Sequence, residues 1–176
     1  MNNNRNISDI AKYIGLSLLS KNMEVSPLKL QKILYYSQAW YLVFSNNERT
    51  LFSESPEAWV NGPVYPRVFN EYRYKVSNMR DNLTAKDFDA EDNIEEKLAK
   101  LTESLSLSPD EIECLDSVIT MYGAKTQDEL VAITHNEKPW VDARAGLLPY
   151  EPSNNKIPLQ GMFDYYNARY QKNRTK

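Results

Sequence analysis

One cysteine, one histidine and five glycines are all that these 176 residues contain of three chemically useful types, and each shortage closes off a class of function. A lone Cys114 cannot form an internal disulfide, so cysteine usage gives no sign of secretion into an oxidising compartment. A zinc site draws about four ligands from Cys, His and carboxylates, and neither HExxH nor CxxC spacing is present. No Asp-x-Asp-x-Asp-Gly loop offers a site for a hard cation. So few glycines leave little material for a phosphate-cradling loop, and there is no Gly-x-Ser-x-Gly elbow. Neither a metal nor a cofactor is expected. No apolar run approaches the roughly 20 residues needed to cross a bilayer, and Met1–Asn6 lacks the apolar stretch of a secretory signal. The plain expectation is a cytoplasmic protein with no membrane contact. A basic excess is missing too: 21 Lys and Arg face 24 Asp and Glu, a formal net charge of −3. A protein that lived on nucleic acid would usually carry cations to match the phosphates. The one basic concentration, Arg169, Lys172, Arg174 and Lys176, reads as a solvated helix end whose cations suit the helix dipole.

What the chain does have is apolar and aromatic material. Apolar residues make up 41% and charged residues 26%, a globular balance. Twelve tyrosines serve equally well in half-buried cores and on binding surfaces. Helical signals dominate. Ser8 is positioned to cap a helix running to about Asn22, with Ile10, Ile14 and Leu18 on one face. Ser26-Pro27 opens a second helix to about Ser45, whose apolar residues exceed a single stripe, so it should lie at the centre. Between Asn46 and Pro66 three prolines exclude a continuous helix. Leu51-Phe52 and Ala58–Val60 read as short extended segments and Asn61-Gly62-Pro63 as a tight turn. A short helix follows Pro66, then a polar loop over residues 77–91, the best candidate for mobility, with Asp87 and Asp89 as solvated charges. Asn93–Leu105 has helical spacing. Ser108-Pro109-Asp110-Glu111 and Thr126-Gln127-Asp128-Glu129 are capping boxes, the first helix ending at Tyr122 with Gly123 as a left-handed stop. One or two turns near Pro139 and a helix from Pro158 complete the chain. The expected fold is mainly α: one bundle of about six to seven helices with a hairpin-like element between helices 2 and 3. Residues 1–25 form an N-terminal helix on the domain, 26–170 the domain itself and 171–176 a basic tail.

Few residues carry chemistry. Cys114 with His135 could make a thiolate–imidazole pair, but Cys114 sits in the helical pattern of Ile112, Leu115 and Val118, where cysteine behaves as a small hydrophobe. His135 ends a short helix and is read first as a group that meets its final carbonyls. Trp140 then packs under the turn, and Arg144 pairs with Glu137 or Asp142. An enzyme using His135 with a carboxylate near Trp59 and Trp140 stands as the competing reading. Gln31, Tyr35 and Gln38, with Lys32 beside them, form a narrow polar line on the second helix. It is read as holding the irregular 58–66 backbone ahead of serving as a recognition surface.

Three blocks in order are similar to one family. They are Leu30-Gln31-Lys32-Ile33-Leu34-Tyr35-Tyr36-Ser37-Gln38-Ala39-Trp40; Leu51-Phe52 with Glu57-Ala58-Trp59-Val60-Asn61-Gly62-Pro63-Val64-Tyr65-Pro66; and Leu130–His135 with Glu137, Pro139, Trp140, Ala143 and Arg144. Together they resemble the Panacea domain (DUF4065), the SocA-like and GepA phage-associated antitoxins, over roughly residues 26–166. The resemblance implies a non-enzymatic, mainly helical protein that neutralises a cognate toxin by direct contact. One branch of the family delivers its toxin to a cytoplasmic AAA+ protease. A phage accessory protein that binds another host factor is the alternative within the same class. The resemblance also makes Gln31, Lys32, Tyr35, Gln38, Trp59, Gly62, Pro63, His135, Trp140 and Arg144 a shared scaffold or pocket. Partner contact is expected elsewhere, at Tyr72, Arg73, Tyr74, Arg80, Tyr150 and Tyr165. Ile133 departs from the commoner leucine, a volume-conserving change. The single helix before the first block is too little for a helix-turn-helix unit, so DNA binding is not expected.

Overall fold

The second helix explains the rest of the architecture. In the computed structural model, which describes residues 5–175, α2 (Pro27–Phe44) is buried at every position but its last. A helix buried on every face must be wrapped on all sides. It touches α1 (Ile7–Ser20), α3 (Pro66–Tyr72), α5 (Pro109–Tyr122), α6 (Gln127–His135), α8 (Leu159–Arg174) and the second strand of a hairpin. Two further helices, α4 (Ile94–Ser104) and α7 (Lys138–Ala143), pack on α1 and on α6 and α8. The described residues thus hold eight α-helices, more than the six to seven expected, because α3 and α7 are short helices of 7 and 6 residues. Residues 1–4 of the expected N-terminal segment and 176 of the basic tail lie outside the described residues. Among the described residues no helix is long and apolar enough to cross a membrane.

The hairpin lies between α2 and α3. Strand β1 (Glu57–Trp59) runs antiparallel to β2 (Gly62–Val64), with Glu57 opposite Val64 and Trp59 opposite Gly62. The turn is therefore Val60-Asn61 and not Asn61-Gly62-Pro63. Gly62 and Pro63 belong to the second strand, which Gly62 enters at a φ of +100°. Leu51-Phe52 is an irregular buried stretch and not a strand, since side chains of α2 supply its hydrogen bonds. Another segment lies along β1: Ala58 N donates to Asn155 O and Ile157 N to Pro56 O, both at 2.8 Å.

Most helix starts follow local side-chain chemistry. Ser26 caps α2, and both expected capping boxes are present at Ser108/Glu111 and Thr126/Glu129. Two expectations are corrected and a third is refined. The cap of α1 is Asn6, whose side chain accepts from Ser8 N, while the Ser8 hydroxyl turns to Glu71 on α3. Gly123 is right-handed, at φ −63°. Its lack of a side chain serves close approach instead: a Cβ there would lie 2.6 Å from Met23 Sδ and 3.0 Å from Leu18 Cδ2. The 77–91 segment is largely exposed, as expected of a polar loop, but it is anchored to the core at three points. It contains a 3-10 turn at Ala85–Phe88 and places Leu83, Phe88 and Ala90 in the core. Asp87 there accepts from Thr84 N, and Asp89 pairs with Lys12 at 2.7 Å.

Candidate functional site

Three side chains of the polar line of α2, those of Gln31, Lys32 and Gln38, end on backbone, and the Tyr35 hydroxyl does not. Gln38 spans the 51–52 stretch: its Oε1 accepts from Leu51 N at 2.9 Å and its Nε2 donates to Phe52 O at 2.8 Å. Gln31 Oε1 accepts from Tyr65 N at 2.8 Å, just past β2. Between them Lys32, fully buried, donates from Nζ to Pro63 O at 3.0 Å. Burial without a nearby carboxylate pulls the Lys32 ammonium down to about 7. Gly62 makes room for it, because a Cβ would stand 2.8 Å from Thr134 Oγ1 and 2.9 Å from Lys32 Cε. Tyr35 is wholly buried, edge-on to Tyr36 and Tyr166, and burial raises its hydroxyl far above the ordinary range.

The third block closes over the other side of the hairpin. Trp140 Nε1 donates to Trp59 O at 2.9 Å. His135, at the end of α6, stacks on Trp140 with ring centroids 4.2 Å apart and planes 15° from parallel. Burial lowers the His135 imidazole, and Lys32 and Arg144 push it further in the same direction, against a hydrogen bond to the Val60 backbone. The two charges acting on the ring are thus both cations, and its Nε2 is buried with no protein partner among the described residues. A base needs a group that orients it and stabilises its charge; Lys32 and Arg144 do the opposite. Cys114 lies elsewhere, buried on α5 beside a cavity lined by Tyr41, Phe44 and Arg49, and burial pushes its thiol up to about 12. The pair weighed from the sequence is not assembled.

Arg144 does not pair with Glu137 or Asp142. Its Nη1 donates to Ala58 O at 2.9 Å, and its Nη2 reaches Glu151 O at 2.7 Å and Leu148 O at 3.2 Å. The rigid guanidinium fork suits several carbonyls on two segments at once. Asp142 pairs instead with Lys138, one turn earlier, at 2.7 Å. Glu137 is buried and joins three helices. It accepts from Tyr166 on α8, from Tyr36 on α2 at 3.2 Å and from Arg169 on α8 at 3.0 Å. Burial raises its carboxyl above the ordinary range, although Tyr166 and Arg169 pull the other way. A second buried carboxylate went unread in the sequence. Glu111 accepts from Arg5 at 2.5 and 2.9 Å and from Tyr41 at 3.2 Å. Burial alone would raise it, but Arg5 and Ser108 outweigh that, and it titrates below the usual carboxylate range. Its place at N3 of a capping box was the available signal; Arg5 gave none.

Of the expected contact residues, Tyr72 is withdrawn: it is 2% exposed and packs on Phe88 at 5.3 Å, because α3 turns that face onto α1. Tyr74 and Tyr150 are 78% and 87% exposed. Arg73 lies over the Tyr74 ring at 4.3 Å, Arg80 pairs with Asp128, and Tyr165 is half-buried beneath Arg169. Beside the hairpin lies an open groove of about 670 Å³, lined by residues of α2, the hairpin and α3 and by residues 78–80 and 152–154. Neither His135 nor Trp140 lines it. Among the described residues no group of three Cys, His, Asp or Glu side chains is placed to hold a metal ion.

A family model described as antitoxin SocA-like, Panacea domain, matches residues 30–141 of the chain. No curated protein and no solved structure matches it.

Proposed function

Because this chain belongs to the SocA-like Panacea antitoxin family, we propose that it neutralises a cognate protein toxin in the cytoplasm by direct contact and without catalysis. One observation carries the reading: the polar side chains of the family blocks are turned onto the chain's own backbone. Gln31, Lys32, Gln38, Trp140 and Arg144 each hydrogen-bond an amide or carbonyl of residues 51–65. Such groups stabilise an irregular segment and are not available to a substrate. Recognition then falls to surfaces away from them, where Arg73, Tyr74, Arg80, Tyr150 and Tyr165 are the proposed anchors. Aromatic and arginine side chains contribute most per residue to interfaces of about 1,600 Å².

Co-expression with the product of the adjacent gene tests this. Growth should be blocked by that product alone and restored by this chain, and the two should co-purify. A harmless neighbour that forms no complex would end the antitoxin reading. The half-life of the toxin in the same cells separates two modes: a stable, silent toxin means occlusion, and a protease-dependent shortening means delivery to an AAA+ protease.

A further inference from the structure

Most of the Arg144 fork holds a turn that adds little to the core. The arginine is buried, and beyond Ala58 O its Nη2 reaches Glu151 O at 2.7 Å, Leu148 O at 3.2 Å and, at the outer limit of 3.5 Å, Pro149 O. Glu151 closes the turn from its other end. Its Oε2 accepts from Leu148 N at 3.0 Å, and its own N–H donates to Leu148 O at 3.1 Å. Gly146, at a φ of +84°, turns the chain into this stretch. Yet Leu148 is 72% exposed and Tyr150 87%, and the Tyr150 side chain makes no hydrogen bond or ring contact with any described residue. An exposed loop ordinarily keeps its freedom, because burial does not offset the conformational entropy of ordering it. Here hydrogen bonds from two side chains order the turn and leave two large apolar groups in water.

The chemistry of the turn selects its counterpart. From Ala145 to Tyr150 it carries no charge, and the carboxylate that follows, Glu151, has one oxygen on Leu148 N. A charged partner surface would lose its water against Leu148 and Tyr150 with no opposite charge to meet it. Strand addition does not fit either, because Leu148 N is taken and Pro149 has no N–H. The turn offers instead two apolar side chains on a backbone already ordered before binding, which lowers the entropic cost of association. We propose that Leu148 and Tyr150 form a preformed knob that enters an uncharged apolar pocket on the cognate toxin, with Arg144 as its positioning residue. The inference rests on the protein-binding reading above and gives it a place on the surface.

Calorimetric binding of the adjacent gene's product to the intact purified chain is the test. Leu148→Ser and Tyr150→Ala should each weaken it by at least about tenfold. Tyr150→Phe, which keeps the ring, and Phe44→Ser, on α2, should stay within about twofold of the parent. Leu148 and Tyr150 stand in water, so each variant should melt with the parent; should one melt lower, the other decides. In the free chain, amide exchange should be slowed at Leu148 and Glu151, whose N–H groups are bonded within the turn. Arg144→Lys should speed exchange at those two amides while α2 stays protected, and should weaken binding by about a few-fold. The inference is overturned if folded Leu148→Ser and Tyr150→Ala bind as the parent does, or if Tyr150→Phe loses as much as Tyr150→Ala. Exchange at the two amides as fast as in an unstructured peptide overturns it too. A dimer of this chain that Leu148→Ser dissociates, with toxin capture intact, would assign the turn to a second copy and overturn it equally. Capture by parent and variants alike defeats the knob and leaves the antitoxin reading standing; no capture by the parent chain defeats both.

Discussion

Gly62 and Arg144 illustrate how single side chains fix the hairpin. At position 62 a φ of +100° and the 2.8 Å approach to Thr134 Oγ1 act together, and the buried Lys32 has no room to retreat. Gly62→Ala should therefore cost about 2–3 kcal/mol in chemical denaturation, more than the left-handed strain alone. Arg144→Lys keeps the charge but loses the fork that serves Ala58, Leu148 and Glu151 at once. We expect a loss of about 2–4 kcal/mol, nearly as large as for Arg144→Ala, because the stranded carbonyls dominate the cost. An Arg144→Lys variant within about 0.5 kcal/mol of the parent would show that the fork is dispensable.

At the scale of elements, caps decide where the helices start. Ser108→Ala and Thr126→Ala should each cost about 1 kcal/mol, read as a lowered thermal midpoint. The Ser108 change should be the larger, since its partner Glu111 is also held by Arg5 and Tyr41. These caps were legible in the sequence because a capping box is closed within four residues. So was the central place of α2, whose apolar residues exceed one stripe. Features that depend on distant partners were not legible. Gly123 reads as a stop until Met23 and Leu18 are seen against it. Phe88 reads as one apolar residue in a polar run until Gly15 of α1 opens the space for its ring. Arg144 reads as an ion-pair partner because carboxylates are visible in a sequence, whereas the carbonyls it binds are not. In the site, the residue types of the polar line were evident and their acceptors were not, because those acceptors belong to backbone whose path no side-chain pattern records.

For the whole molecule, buried cations set the response to pH. Lys32 loses its proton near pH 7 when folded and near 10.5 when unfolded. Across that window the unfolded chain binds more protons, so stability rises with pH. Burial lowers Lys29 as well, which acts in the same sense. Buried tyrosines oppose this as the pH nears 10, since burial holds groups such as Tyr41 up to about 12 and the unfolded chain ionises first. The denaturation midpoint should therefore climb between about pH 7 and pH 9, and Lys32→Met should flatten that climb. An unchanged slope in Lys32→Met would mean that another group governs it.

The reach of Glu137 also bears on where this gene can be cut. The stretch that matches the family ends at residue 141, yet the Tyr166 hydroxyl and Arg169 guanidinium that satisfy Glu137 come from α8, and Ile7, Ile10 and Ile14 of α1 fill the core from the other end. A recombinant fragment trimmed to the matched stretch would keep only Tyr36 of the three donors to that acid and would leave a bare flank on its central helix. Swaps between relatives will therefore succeed only when both outer helices travel with the piece exchanged.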